Sequence, residues 1–134
     1  MKPKVNSKVV LDASAVLALM HQEKGEALVS EYIQKSETVI SAVNLAEVLS
    51  KQQEIGIPVS EALALLDWVG ILVVPFDQKF VLQVAELRKS TKSFGLTLGD
   101  RVCLALGQSL GCPVLTADQA WKRLDLGIEI VLIR

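Results

Sequence analysis

Four carboxylates, Asp12, Glu47, Asp100 and Asp118, stand where the pattern of the chain changes character. Asp12 closes the apolar run Val9-Val10-Leu11 and opens a helical stretch over 13–19, and Asp118 follows the apolar run 113–116 in the same way. Glu47 and Asp100 each fall three residues after a good helix N-cap, Asn44 and Thr97. Carboxylates at strand ends and helix starts of a parallel α/β sheet can all face one crevice. Like charges gathered in one crevice persist only with a proton or a cation among them. The pattern therefore predicts a site for a hard divalent metal, Mg2+ or Mn2+, which prefers one or two direct carboxylates and retains several waters. Ser14 and Thr116, each two residues from one of these acids, are placed to orient a carboxylate or a coordinated water. Such a centre suits phosphodiester hydrolysis, because the cation polarises a phosphoryl oxygen and activates water.

Each acid also has an ordinary explanation. Fifteen acids occur in the chain, so one chosen blindly is most often a solvated surface charge. Asn44 with Glu47, and Thr97 with Asp100, fit the capping-box spacing, in which the acid at the third helical position returns to the cap's backbone amide. Asp12 and Asp118 fit simple N-caps after strands. Taken singly the two readings stand level; the shared strand-end placement of Asp12 and Asp118 favours a joint site.

The elements that must position these residues alternate. Short β-branched runs at 8–11, 38–41, 72–75, 113–116 and 129–133 read as strands. Helical patterns at 14–21, 26–35, 44–55, 60–69, 77–91, 98–110 and 120–124 lie between or beside them. Strands separated by helices predict βαβ crossovers, hence an α/β fold with a central, mainly parallel sheet of four or five short strands and helices on both faces. The expected organisation is one domain over 1–134, with residues 1–7 a flexible tail and 90–95 the loosest internal stretch.

Composition removes several alternatives. The single histidine, His21, leaves only one possible base for a Ser-His-Asp or Cys-His arrangement, and its place at the end of the first helix suits the helix dipole. Two cysteines and one histidine are too few for a structural zinc site without a carboxylate. No G-x-G-x-x-G or Walker A run is present to cradle a nucleotide. A net charge of −1 announces no global field for nucleic acid, though a local patch suffices to bind RNA. The apolar run over 62–76 is too short and too interrupted to span a bilayer, and nothing at the start resembles a secretory leader; a cytoplasmic protein with reduced thiols is expected.

The segments Val10-Leu11-Asp12-Ala13-Ser14-Ala15, Ser41-Ala42-Val43-Asn44-Leu45-Ala46-Glu47-Val48, Leu96-Thr97-Leu98-Gly99-Asp100-Arg101 and Leu115-Thr116-Ala117-Asp118 together resemble a PIN domain, most nearly the VapC-type toxin ribonucleases of bacterial toxin–antitoxin pairs. The resemblance runs from the first strand to the last, with the four acids in order at spacings of 35, 53 and 18 residues. It implies a PIN-like three-layer α/β/α fold and a Mg2+- or Mn2+-dependent endoribonuclease acting on RNA, restrained by a small antitoxin and usually homodimeric. It also implies that Asp12, Glu47, Asp100 and Asp118 are the catalytic, metal-binding residues. Asn44 and Gly99 depart from the family pattern, which often has a hydroxyl or alanine there; both changes are expected to be tolerated.

The residues also discriminate against other functions. A receiver-like phosphoacceptor domain would want adjacent acids early in the chain, but Leu11 precedes Asp12. A D-x-D phosphatase is disfavoured by Ser14 in the second acid's place. A non-catalytic RNA-binding relative is at odds with retention of all four acids. Arg88, Lys89, Lys92, Arg101, Lys122 and Arg123 are either a solvated face or an RNA-backbone track. Trp121 reads as a core or interface anchor rather than a base-stacking platform, and Trp68 and Cys103 read as core. The helical pattern Leu45, Val48, Leu49, Gln52, followed by Ala62, Leu63, Leu65, Leu66, Trp68 and Val69, packs more apolar residues into two adjacent helices than one sheet face needs, and motivates the expected dimer face.

Overall fold

The computed structural model describes residues 7–134. Five strands, β1 (Ser7–Leu11), β2 (Ser36–Ser41), β3 (Leu72–Val74), β4 (Val114–Thr116) and β5 (Ile130–Leu132), form one sheet in the order β3-β2-β1-β4-β5. Every neighbouring pair is parallel, so each connection must cross over. The crossovers carry α1 (Ala13–Met20) and α2 (Glu26–Lys35), then α3 (Ala42–Glu54) and α4 (Val59–Val69), then α5 (Gln78–Thr91) and α6 (Leu98–Leu110). The helical stretch expected at 120–124 is a 3-10 turn over Gln119–Arg123 before β5.

Strand alternation divides the core in two. Val9 and Leu11 join Ile40, Leu115 and Val131 under α1, α2, α3 and α4. Val10 joins Val39, Val114 and Ile130 against α5, α6 and Trp121. This is the three-layer α/β/α architecture expected from the alternating pattern. Gly107 lets α6 approach β4, since a methyl group there would stand 2.5 Å from Val114 Cγ2.

Several expectations need correction. Ser7 pairs with Ser36 in β1 rather than belonging to a tail; the rest of that expectation, on residues 1–6, lies outside the described residues. Residues 90–95 comprise the end of α5 and a 3-10 turn: buried Thr91 donates to the Leu87 carbonyl (2.7 Å), and the turn over Lys92–Phe94 closes on Gly95 before buried Leu96, with Ser90, Lys92, Ser93 and Gly95 exposed. Trp68 is 86% exposed, not core. α4 docks through Ala62 and Leu66, four residues apart, and Trp68 falls on the far side of that helix.

The order of strands matters for function. β1 connects to β2 on one side of itself, and β4 enters on the other. The carboxyl ends of β1 and β4 therefore flank the switch point where open α/β sheets bind ligands.

Candidate functional site

Asp12 leaves the carboxyl end of β1 with extended backbone (φ −83°, ψ 176°) and caps α1, accepting the Ala15 amide at Oδ1 (2.8 Å). Ser14 Oγ donates to the same oxygen (2.6 Å), and Thr116 Oγ1, from the end of β4, donates to Oδ2 (2.5 Å). The proton directions follow from the neighbours. Ser14 Oγ accepts the Ala117 amide (2.9 Å) and Thr116 Oγ1 accepts the Asp118 amide (3.0 Å), so each hydroxyl turns its one proton to Asp12. Of about four lone-pair positions on a carboxylate, Oδ1 has two filled by the protein and Oδ2 one. Oδ2 is thus the oxygen with capacity for a further partner.

Glu47 rises from the second turn of α3. The N-cap of that helix is Ser41, whose Oγ accepts the Asn44 amide (3.0 Å); Asn44 is not the cap, and the capping box that its spacing with Glu47 also fits does not form. Asn44 instead lies inside the helix and donates Nδ2 to Glu47 Oε1 (2.8 Å) and to the Gly99 carbonyl (3.0 Å). Glu47 rests directly on α6: a methyl group on Gly99 would stand 2.7 Å from the Glu47 carboxyl carbon. The two positions that depart from the family pattern therefore touch through one hydrogen bond.

Asp100 does form its capping box. Thr97 Oγ1 accepts the Asp100 amide (3.1 Å) and Asp100 Oδ2 accepts the Thr97 amide (3.0 Å). The box fixes one oxygen and holds the carboxylate in the first turn of α6, where the helix dipole favours its charge. Asp118 is exposed and caps the 3-10 turn, accepting the Ala120 amide at Oδ1 (3.0 Å). Its link to the others runs through Thr116, which accepts from its amide and donates to Asp12.

Glu47 packs on Gly99, the residue before Asp100, and the Asp100 charge reaches Asp12. The charges of Asp12, Asp100 and Glu47 all act on the Cys103 thiol, which burial first, and these charges after it, push well above its usual range. Asp118, exposed, is not among these charges. Capping and clustering are therefore not alternatives here, since each cap uses one carboxylate oxygen and leaves another. Among the described residues, no group of three or more His, Cys, Asp or Glu side chains is arranged to hold a metal ion between them. The donor chemistry nevertheless suits Mg2+ or Mn2+: all the oxygens are hard, and such ions need only one or two direct carboxylates, with others reached through water.

Burial pushes the Asp12 carboxyl above its usual value, and the Asp100 charge adds to the rise; the Ser14 and Thr116 hydroxyls and the Ala15 amide oppose it. A folded pKa above the unfolded one means that this group's contribution to stability is full below about pH 4 and is lost as pH rises through the folded value. In the presence of EDTA, the stability difference between Asp12→Asn and the wild type should therefore move in the variant's favour between pH 4 and pH 7. Thermal melts at the two pH values check this, and a pH-independent difference refutes it.

The remaining singled-out residues divide. Arg101 donates Nη1 to the Val84 carbonyl (3.0 Å), which ties α6 to α5 and takes it out of the basic track. Arg88, Lys89, Lys92, Lys122 and Arg123 are exposed. His21 caps the C-terminus of α1, and its Nε2 meets Gln52 Oε1 (2.7 Å). Trp121 and Cys103 are fully buried. Sequence reasoning misses the parts played by Ser41 and Asn44; the spacing Ser41-x-x-Asn44 at the end of a strand is the available sign of the true cap.

Residues 9–126 match the family model of the PIN domain. No curated protein sequence matches the chain. Among solved structures, it is similar to VapBC2 from Rickettsia felis bound to a promoter DNA fragment, at 15% identity over 93% of this chain and 98% of that one (TM-score 0.72). It is also similar to Mycobacterium tuberculosis VapC20, a sarcin–ricin loop cleaving toxin, at 12% identity over 90% and 98% of the two chains (TM-score 0.71). DNA-bound VapBC from Salmonella typhimurium gives 16% identity over 96% and 99% (TM-score 0.70). At such identities the likeness speaks for the fold.

Proposed function

Because this chain belongs to the PIN domain family, we propose that it is a metal-dependent endoribonuclease of a single domain, the toxin of a toxin–antitoxin pair, with Asp12, Glu47, Asp100 and Asp118 as its catalytic and metal-binding residues. One observation supports the reading: Asp12 leaves the carboxyl end of β1 at the sheet's switch point, and Glu47 rests on Gly99 beside Asp100, each carboxylate oriented by hydroxyls or amides among the described residues. When bound, Mg2+ or Mn2+ supplies positive charge to the scissile phosphodiester and activates water for its hydrolysis. The chain's own part is placement. Ser14 and Thr116 hold Asp12 with Oδ2 available, Asn44 holds Glu47, and the capping box holds Asp100. Asp118, exposed, is suited to act through water. Exposed Lys122 and Arg123, with Arg88, Lys89 and Lys92, offer contacts to the RNA backbone. The test is RNA cleavage by purified protein with Mg2+ or Mn2+ and with excess EDTA. Cleavage that persists in EDTA defeats the mechanism.

The toxin reading draws on VapC20, a toxin, and on the VapBC complexes, and it carries an antitoxin partner with it. A cleft of about 450 Å3 opens beside Ser14, with Leu17, His21, Gln52 and Ile55 in its wall, and suits an inhibitor segment lying close to Asp12. An arginine from such a segment would meet the carboxylates with charge-assisted hydrogen bonds and displace the cation. Among the described residues no helix is long and apolar enough to cross a membrane, and a cytoplasmic location fits this function.

Homodimer formation rests on exposed apolar surface. Leu63 and Trp68 on α4, and Leu72 and Val73 on the edge strand β3, are all exposed, whereas Val48 and Gln52, on the α3 face that the sequence pattern offers for dimerisation, are buried. Sedimentation at micromolar concentration should give a dimer, and Trp68→Ser should shift it toward monomer. A monomeric wild type defeats this part of the reading. The small protein encoded immediately upstream should bind the chain and suppress cleavage; indifference to it defeats the toxin assignment.

A further inference from the structure

The hydrogen bonds around Asn44 leave no slack. The residue is 2% exposed. Ser41 Oγ accepts the Asn44 backbone amide (3.0 Å), so its own proton goes to Asn44 Oδ1 (2.5 Å). The other end of the carboxamide faces two groups that can only accept, the Glu47 carboxylate and the Gly99 carbonyl, so that end is the NH2 and the oxygen takes the Ser41 proton. Its two protons meet two acceptors, Glu47 Oε1 (2.8 Å) and the Gly99 carbonyl (3.0 Å). Gly99 completes the seat, because any side chain there would drive into the Glu47 carboxylate. Glu47 Oε2 accepts no hydrogen bond among the described residues.

We infer that Asn44 is a positioning residue for Glu47: locked by Ser41, its carboxamide holds Glu47 Oε1 against α6 and so fixes the direction in which the other carboxylate oxygen is offered to a divalent cation. The inference rests on the metal-dependent reading above and extends it to residues outside the acidic set. A hydroxyl at position 44 has one proton and cannot make both donations. Donors that orient a ligating carboxylate typically contribute roughly 10–100-fold in metal affinity.

The readout is Mn2+ affinity, followed by electron paramagnetic resonance on the intact protein, with thermal melts alongside. Asn44→Ser should weaken Mn2+ binding by about tenfold or more. In a Glu47→Ala background the same substitution should leave the residual Mn2+ affinity unchanged, because a residue that acts through Glu47 has nothing left to position. Equal losses in both backgrounds would mean that Asn44 only holds α3 to α6, and would overturn the inference. Should Asn44→Ser not fold, Gly99→Ala takes its place. Its methyl group displaces Glu47 while Asn44 stays, and Mn2+ affinity should fall likewise; unchanged affinity overturns the seat. Wild-type protein that takes up no Mn2+ defeats the metal reading itself and this inference with it. Uptake by the wild type with equal losses in both backgrounds defeats only the role of Asn44.

Discussion

Asp12→Asn and Asp100→Asn should each lower RNA cleavage by about a thousandfold or more while leaving the protein folded. The magnitude follows from the proposed chemistry. A cation acting on developing phosphoryl charge contributes several kcal/mol, and each 1.36 kcal/mol is a factor of about ten in rate. The fold survives because asparagine remains a good N-cap, so Asp12→Asn retains an oxygen for the Ala15 amide and the Ser14 hydroxyl. Asp100→Asn likewise keeps an acceptor for the Thr97 amide. Circular dichroism and cleavage assays on the same preparations check both halves. Variants that fold and still cut RNA at a tenth of the wild-type rate would remove these acids from the mechanism. Wild-type protein should also melt higher in millimolar Mg2+ or Mn2+, by about 2.7 kcal/mol of stability at a hundred times the dissociation constant. Asp12→Asn should lose most of that gain.

Trp121→Ala should cost about 3–5 kcal/mol, as large aromatic deletions in packed cores do. Trp121 is 0% exposed and packs among the residues under α5 and α6. For a chain of this length that corresponds to a melting temperature lower by on the order of 10–20 °C. Trp121→Phe should cost clearly less, because the indole nitrogen has no hydrogen-bond partner among the described residues and its loss leaves nothing unsatisfied. The comparison also decides between two uses of this residue, which stands three positions past Asp118. If Trp121 stacked an RNA base, the alanine variant would fold normally and bind RNA poorly. Burial predicts the reverse order, with stability lost first, and chemical denaturation of the three proteins separates the cases.

Local features are legible in the residues alone. Strand and helix bounds agree with the apolar periodicity to within a residue or two, because caps and amphipathic faces are set by neighbours three or four positions away. Asp12 declares itself by standing between an apolar run and a helix, and the Thr97–Asp100 box by its spacing. Parallel pairing follows from the alternation of strands and helices, since parallel strands need long crossovers.

What tertiary structure decides concerns contacts between distant segments. Thr116 is a near neighbour of Asp118 in the chain, yet its proton goes to Asp12, 104 residues away, because β4 lies against β1. Asn44 has the residue type and spacing of a cap but holds Glu47 to α6 across 55 residues. Trp68 has the character of a core residue and faces outward, because α4 docks through Ala62 and Leu66 and only the docked angle of a helix selects its buried side. The residue types and their local geometry are properties of the chain over a few positions. The oxygen each carboxylate keeps available is a property of which strands and helices become neighbours, and no window of sequence contains it.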